Sequence, residues 1–86
     1  MNIHNTAYPT TGSTLATLNA LGAAADAASN ATDADPSPPN KLAEDIAYLA
    51  YNDAVYAVGN TANTRDWLAR RPALVAKISA RGGVVA

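Results

Sequence analysis

The sequence predicts an all-α fold: a small three-helix protein with a helical hairpin, an N-terminal helix before it across a Pro-rich hinge, and an extended N-terminal arm. Apolar residues recur at intervals of three and four, as in amphipathic helices, and prolines or glycines separate the segments that show this spacing. Alanine, the strongest helix former, supplies much of the 49% hydrophobic content, and phenylalanine and cysteine are absent. Because alanine buries little area and 86 residues allow one small domain, the core must be economical or shared with a partner.

The N-terminal part predicts an arm followed by a helix. Residues 1–12 are polar and turn-prone, and Pro9 holds the residue before it in an extended or turn conformation, so they predict the arm. Ser13 is suited to cap a first helix over residues 13–29, in which leucines recur every third position. Gly22 inside this helix costs about 1 kcal/mol relative to alanine, so we expect the helix to fray toward Asn30.

The middle of the chain predicts a hinge and then the hairpin. Residues 30–40 hold three prolines and two acids in eleven residues, a composition that predicts a linker unable to continue the first helix. Residues 41–86 are predicted to form the helical hairpin with its basic C-terminal helix. Asn40 is suited to cap the second helix, which we expect to run to about Val58 before Gly59 ends it.

This second helix is apolar around almost its whole circumference. On a helical wheel, the leucines, the isoleucine and Tyr56 occupy one face, and the other tyrosines and the valines occupy the opposite face. Since one subunit would have to cover both faces, we predict that part of this surface meets another copy or another protein, with packing inside one subunit as the alternative. The predicted interface residues are Tyr48, Tyr51, Val55, Tyr56, Val58 and Trp67.

The third helix is predicted to begin near Asn63 or Thr64, either of which can cap it, with Asp66 placed as in a capping box. Pro72 lies inside the predicted helix and must either kink it or split it into two pieces. The Gly82–Gly83 pair is expected to end it.

Charge is distributed unevenly along the chain. Residues 1–63 hold one lysine against six acids, a net charge of −5, and residues 64–86 hold five basic residues against one aspartate, a net charge of +4. The basic end suits contact with an acidic protein partner, including the acidic part of another copy, or with a polyanion such as nucleic acid. The residues proposed for this contact are Arg65, Arg70, Arg71, Lys77 and Arg81.

Groups that could carry chemistry are few. His4 is the one histidine and has no neighbour in sequence that would orient it as a base or complete a metal set. A calcium-loop spacing begins at Asp33, but Pro38 occupies the position where that loop needs glycine. We therefore predict no enzymatic activity, no catalytic residue, no cofactor, no metal site and no small-molecule substrate.

Asp53 is the one acid on the apolar face of the second helix, between Leu49 and Tyr56. A carboxylate there needs a partner such as an arginine or capped backbone amides, and an inter-subunit salt bridge is one way to supply it. The alternative is that this part of the face is open to water.

Membrane insertion and secretion are not predicted. The longest nearly apolar run, residues 46–59, is interrupted by Asn52 and Asp53 and is shorter than the ~20 residues that cross a bilayer. Residues 1–14 lack the basic and apolar regions of a signal peptide, so we expect cytoplasmic synthesis.

These features favour a non-enzymatic structural or assembly subunit that self-associates or docks on a larger protein lattice. Short, cysteine-free chains rich in alanine, asparagine and threonine, with an extended arm, are similar in composition to accessory virion proteins of tailed bacteriophages. That resemblance implies a capsid cement or decoration protein, or a tail component, incorporated in a virion. The alternative is a small regulatory module that binds nucleic acid through its basic C-terminal helix, with salt-sensitive affinity.

Overall fold

Three α-helices form the fold in the computed structural model, which describes residues 12–58 and 66–84. In chain order they are α1 (Gly12–Ala34), α2 (Pro38–Ala57) and α3 (Trp67–Ala80), and these two ranges contain no strand. The prediction of a small all-α fold with three helices is confirmed. The predicted arm lies outside the described residues, apart from Gly12, which begins α1.

The predicted linker over residues 30–40 is wrong, because α1 continues to Ala34 rather than ending at Ser29. Only residues 35–37 interrupt the helical structure between α1 and α2. Asp35 precedes Pro36 and is thereby biased away from the α conformation, so the helix ends at this point. The prolines shape a three-residue turn instead of a long hinge.

Asn40 binds the C-terminal end of α1 and does not cap α2. Its side-chain amide donates to the carbonyl of Asp35 at 2.9 Å and to that of Ala31 at 3.4 Å. The Thr32 hydroxyl lies 3.0 Å from the carbonyl oxygen of Asn40 and 3.1 Å from that of Ala28, and it can donate to either. The carbonyls of Ala31 and Asp35 also accept backbone N–H groups, from Asp35 at 2.9 Å and from Ser37 at 2.8 Å, so the Asn40 amide adds a second bond to each and joins the end of α1 to α2.

α2 begins earlier than predicted because its first residues are prolines. Ser37 is the N-cap residue, in an extended conformation (φ −72°, ψ 156°), and Pro38 and Pro39 follow it. The first helical positions have no hydrogen-bond acceptor for their N–H groups, so proline loses nothing there. The N–H of Lys41 makes the first bond of the new helix, to the carbonyl of Ser37 at 3.0 Å.

α2 lies between α1 and α3, which do not contact each other in the described structure. The core between α1 and α2 is small: Leu18, Val55 and Val58 are buried, with Tyr51 and Ala54 packed around them. The core between α2 and α3 is larger. It buries Leu49, Trp67 and Ile78, with Leu42, Tyr56, Leu74 and Val75 packed against them. The chain thus covers much of both apolar faces of α2 by itself, although Ile46 and Tyr48 remain exposed.

Pro72 lies inside α3 and does not split it. Because proline has no N–H, the carbonyl of Leu68 lacks its usual intrahelical donor. Asp66 is the N-cap residue of α3 and makes no side-chain capping bond there, whereas the prediction placed it three residues after the cap. The proposed caps Asn63 and Thr64 lie outside the described residues.

The predicted stop at the glycine pair is confirmed. Gly82 has φ +85°, its N–H donates to Ser79, and the N–H of Gly83 donates to Ile78 at 2.9 Å, which together form a Schellman motif. A Cβ atom on Gly83 would lie 2.6 Å from Cγ2 of Ile78 and 2.8 Å from Cδ1 of Leu42. The chain passes α2 here too closely to carry a side chain.

Candidate functional site

The contact between α2 and α3 is organised around Asp53. Its Oδ1 accepts hydrogen bonds from Nε of Arg71 at 2.9 Å and from Nε1 of Trp67 at 2.8 Å, and its Oδ2 accepts one from Nη2 of Arg71 at 2.9 Å. The arginine fork therefore binds the carboxylate with two parallel bonds, the strongest geometry for such a pair. Asp53 does find an arginine, as expected, but the arginine comes from the same chain and not from another subunit.

This pair keeps Asp53 ionised. The hydrogen bond from the Arg71 guanidinium is the main reason that the pKa of Asp53 lies below its ordinary value. Burial opposes the shift, whereas the Trp67 N–H and the positive charge of Arg71 lower the pKa further. The side chains of Asp53 and Arg71 are 39% and 34% exposed, so solvent screens their attraction. The pair fixes the orientation of the buried indole as well as adding stability.

A second set of contacts extends from Trp67 to the surface. The Arg70 guanidinium lies 5.7 Å from the centre of the indole ring, within the range of a cation–π contact. The Tyr48 ring meets the indole edge to face, with 6.2 Å between ring centres and 71° between planes. Arg70 also donates a long hydrogen bond, 3.4 Å, to the Tyr48 hydroxyl. The position of Tyr48 is thus set by α3.

Asp45 of α2 forms ion pairs with two further cations, Lys77 in α3 and Arg81 just after it. Its Oδ1 lies 3.9 Å from Nζ of Lys77, and its Oδ2 lies 3.6 Å from Nε of Arg81. These are ion pairs without hydrogen-bond geometry, and Oδ2 is buried with no hydrogen-bond partner among the described residues. The Asp45 contacts are therefore much looser than those of Asp53.

The basic residues predicted for polyanion contact are engaged within the chain. Arg71 pairs with Asp53, Lys77 and Arg81 approach Asp45, and Arg70 lies against Trp67 and Tyr48. The fifth, Arg65, lies outside the described residues. The opposite charges of the two ends of the chain thus meet inside one molecule, between α2 and α3.

The predicted interface residues are divided between the core and the surface. Val55, Val58 and Trp67 are buried inside the chain, which corrects the prediction that a partner covers them. Tyr51 and Tyr56 are half-buried against the two cores. Tyr48 alone of the six is exposed, with 43% of its surface accessible.

The outward side of α1 is an alanine stripe that the sequence analysis did not single out. Leu18, the buried residue of α1, faces α2, and a row of exposed alanines follows the other side of the helix at intervals of three and four. The alanine stripe consists of Ala16, Ala20, Ala23, Ala27 and Ala31. Only Asp26 and Asp33 carry charge anywhere in α1, whereas the outer face of a surface helix ordinarily carries many charged residues.

A groove also runs between α1 and α2 beside Tyr48. It encloses about 300 Å³ and is lined by Gly22, Ala25, Asp26, Ser29, Glu44, Tyr48 and Tyr51; we call it the tyrosine groove. Gly22 matters here because a Cβ atom on it would lie 3.3 Å from Cε1 of Tyr51, so its missing side chain lets the ring approach α1. The lining positions 22, 26, 29 and 44, 48, 51 each repeat at i, i+4, i+7, a signal present in the sequence but not used.

Two further findings concern other classes of site. In residues 12–58 and 66–84, no group of three or more histidine, cysteine, aspartate or glutamate side chains is placed to hold a metal ion. His4 lies outside these ranges. Among the helices that the structure describes, none combines the length and the apolar character that crossing a bilayer requires.

Comparisons of the chain with models of known protein families, with curated proteins and with solved structures give no match in any of the three. The surfaces of the chain itself, the alanine stripe and the tyrosine groove above all, are therefore the basis for assigning a function.

Proposed function

We propose that this chain is a non-enzymatic structural or assembly subunit that docks through the alanine stripe of α1 on another copy of itself or on a larger protein assembly. The observation that carries the proposal is the stripe: methyl groups line the solvent side of a 23-residue helix where charged residues are usual. Small side chains let the backbone of a second helix come close, because interaxial distance depends on the residues at the contact.

The arrangement of the charges supports the same proposal. Asp53 pairs with Arg71 of α3, and Asp45 pairs with Lys77 of α3 and with Arg81 just beyond it, which gives these residues a role in holding the two helices together. The alanine stripe has no such role, since it faces away from α2 and α1 does not contact α3. It is the longest row of exposed alanines at helical spacing in residues 15–58 and 66–84.

Size-exclusion chromatography with light scattering tests the self-associating form of the proposal. We expect the full chain to elute as a defined helical oligomer. Replacing Ala20 and Ala27 by glutamate should reduce it to a monomer with an unchanged circular dichroism spectrum, because two charges would have to be buried in the contact.

The matched control replaces Ala69 and Ala76 by glutamate, an exposed pair on α3 with the same spacing of seven. This control should leave the oligomer intact. A full chain that stays monomeric at every concentration would exclude a second copy as the partner of the stripe, and equal effects of both double variants would show that charge alone disperses the oligomer.

The finer form of the proposal, an accessory virion protein of a tailed bacteriophage, is supported by composition alone. It predicts that mass spectrometry of purified particles from the source of the chain detects the protein in fixed proportion to the major subunit. If the Ala20→Glu, Ala27→Glu variant is lost from the particles, the alanine stripe is the surface through which the protein is incorporated. Its absence from particles of the wild type would contradict it.

A further inference from the structure

The tyrosine groove has the chemistry of a binding site for a cation. We propose that it receives a lysine or arginine side chain of the protein on which the chain assembles. The inference rests on the assembly function proposed above and names the chemistry of the partner at a surface separate from the alanine stripe.

The charge that the described residues give the groove is negative. Asp26 of α1 and Glu44 of α2 both line it, and no basic residue of the described ranges does. Neither carboxylate forms an ion pair with any residue in 12–58 or 66–84, although Lys41 lies three positions before Glu44. The other acids of α2, Asp45 and Asp53, both have cations from α3 or its C-terminal end. Two carboxylates across one groove attract a cation from outside the chain.

The aromatic residues of the groove suit the same ligand. Tyr48 and Tyr51 both line it, and the face of a tyrosine ring attracts ammonium and guanidinium groups. Both rings are held in place before a ligand arrives. Trp67 and Arg70 contact Tyr48, and Tyr51 packs closely over Gly22. A preformed site avoids part of the entropic cost of binding.

The volume of the groove limits what can enter. About 300 Å³ is at the lower end of the range for ligand pockets, which suits one long side chain better than a larger molecule. Gly22 and Ala25 offer an apolar surface for the methylene stem, and Asp26 and Glu44 offer acceptors for the charged head. Lysine and arginine side chains bind in this divided way.

A neighbouring cavity of about 310 Å³ is less suited to bind a cation than the tyrosine groove. It shares Tyr48 and Tyr51 but is otherwise lined by Asn52, Val55 and Arg70. The Arg70 guanidinium would repel a second cation at that position. The two sides of the tyrosine pair therefore differ in charge, and only the side with Asp26 and Glu44 attracts a basic residue.

The experiment is an NMR titration of the full-length ¹⁵N-labelled chain with N-acetyl-lysine methylamide. The uncharged probe N-acetyl-norleucine methylamide, which keeps the stem and lacks the ammonium group, is the comparison. We expect the lysine probe to shift the amide signals of Gly22, Asp26 and Glu44 at millimolar concentration. The norleucine probe should bind at least about threefold more weakly, as expected for the loss of ion-pair and cation–π contacts at an open site.

A pair of variants separates the groove from the general charge of the chain. Asp26→Asn with Glu44→Gln should weaken the lysine probe by at least about threefold, whereas Asp33→Asn, an exposed acid of α1 outside the groove, should not change its affinity. Equal binding of the two probes, equal effects of the groove and control variants, or no shift of the groove residues would each overturn the inference.

The outcome is distinguishable from that of the assembly proposal. A chain that assembles through the alanine stripe but does not bind the lysine probe would leave the assembly function in place and refute the cation site. A chain that binds the lysine probe but does not assemble would refute the assembly function and leave the cation-binding groove in place.

Discussion

Asp53 is the residue that most directly links the charge pattern of this chain to its fold. It accepts three hydrogen bonds from two residues of α3, Arg71 and Trp67, and the Trp67 side chain is only 1% exposed. The sequence indicated that a carboxylate between Leu49 and Tyr56 needs a partner, such as an arginine or backbone amides, unless that part of the face is open to water. Which arginine answers that need depends on how α3 packs, and periodicity along one helix does not contain that information.

Asp53→Asn should lower the free energy of unfolding at pH 7 by about 1 kcal/mol, because the pair is partly exposed and solvent screens it. Asparagine keeps an acceptor for the Trp67 N–H, so the change removes mainly the charge-assisted bonds to Arg71. Urea denaturation of the two proteins measures the difference. Asp66→Asn, at an exposed acid without a side-chain capping bond, is the control and should change stability little.

The same variant has a pH dependence whose sign follows from the pKa shift. The pKa of Asp53 is lowered in the folded chain, so the unfolded chain binds the proton first as the pH falls. The stability that Asp53 contributes is complete above its ordinary pKa and is lost from about pH 4 downward, as the pH passes through the folded value. The stability gap between wild type and Asp53→Asn should therefore close in acid, and a gap that widened there would contradict this account.

At the scale of the elements, the sequence predicted the number and type of helices but misplaced the boundary between α1 and α2. The composition of residues 30–40 indicated a long linker, since prolines cannot continue a helix. The structure uses Pro38 at a helix start, where proline is favoured, and Ser37 before it was the available sign of that start. The amide of Asn40 supports the extension of α1, because it donates back to the carbonyls of Ala31 and Asp35. A tertiary hydrogen bond of this kind is not visible in local sequence.

The opposite problem occurred with the two faces of α2. Their apolar character was predicted correctly, but periodicity shows that a face is covered and does not show what covers it. Leu18 and Trp67, from the two flanking helices, supply the cover for Val55 and Leu49 respectively. The tyrosine groove was missed for a related reason, because its walls come from two helices and only one of them drew attention in the sequence.

The C-terminal end of α3 yields the prediction that belongs to this scale. Gly83→Ala should destabilise the protein by about 1–3 kcal/mol, the cost of overpacking, because its Cβ would lie within 3 Å of both Ile78 and Leu42. Gly82→Ala should cost about 1 kcal/mol, since no atom lies within 4 Å of its Cβ and only the positive φ is unfavourable. Thermal unfolding of the two variants compares the cost of steric overlap at Gly83 with the cost of backbone strain at Gly82. Equal losses of stability in the two variants would show that the chain after α3 can move away from Leu42 at no cost in free energy.

At the scale of the whole molecule, the two cores are unequal and separate. The helix α2 contacts both neighbours, whereas α1 and α3 do not meet in the described structure. The core with α3 contains the two most deeply buried side chains and the Asp53 hydrogen bonds. Among residues 15–34, the face that α1 turns toward α2 fully buries only Leu18, and Leu15 and Leu21 on either side of it are half-buried. Burial of apolar area is the main source of stability, so α1 should be the first helix to detach.

Hydrogen exchange measures this order of detachment. In the wild type, amides of α1 should exchange through an opening of lower free energy than those of the middle of α2 and of α3. Leu18→Ala should speed exchange throughout α1 by an amount equivalent to about 2–5 kcal/mol, the usual cost of such a truncation, or to the whole α1 opening energy if that is smaller. It should leave α3 nearly unchanged, because no side chain of α3 contacts Leu18.

The matched variant is Leu49→Ala, which makes the same truncation in the other core. It should speed exchange in α2 and α3 together, since both depend on that core. If Leu18→Ala instead speeds exchange equally in all three helices, the molecule unfolds as one unit and α2 transmits the loss of one core to the other. A helix that detaches by itself would also make its alanine stripe the natural part to gain stability from a partner, because binding stabilises whichever state it selects.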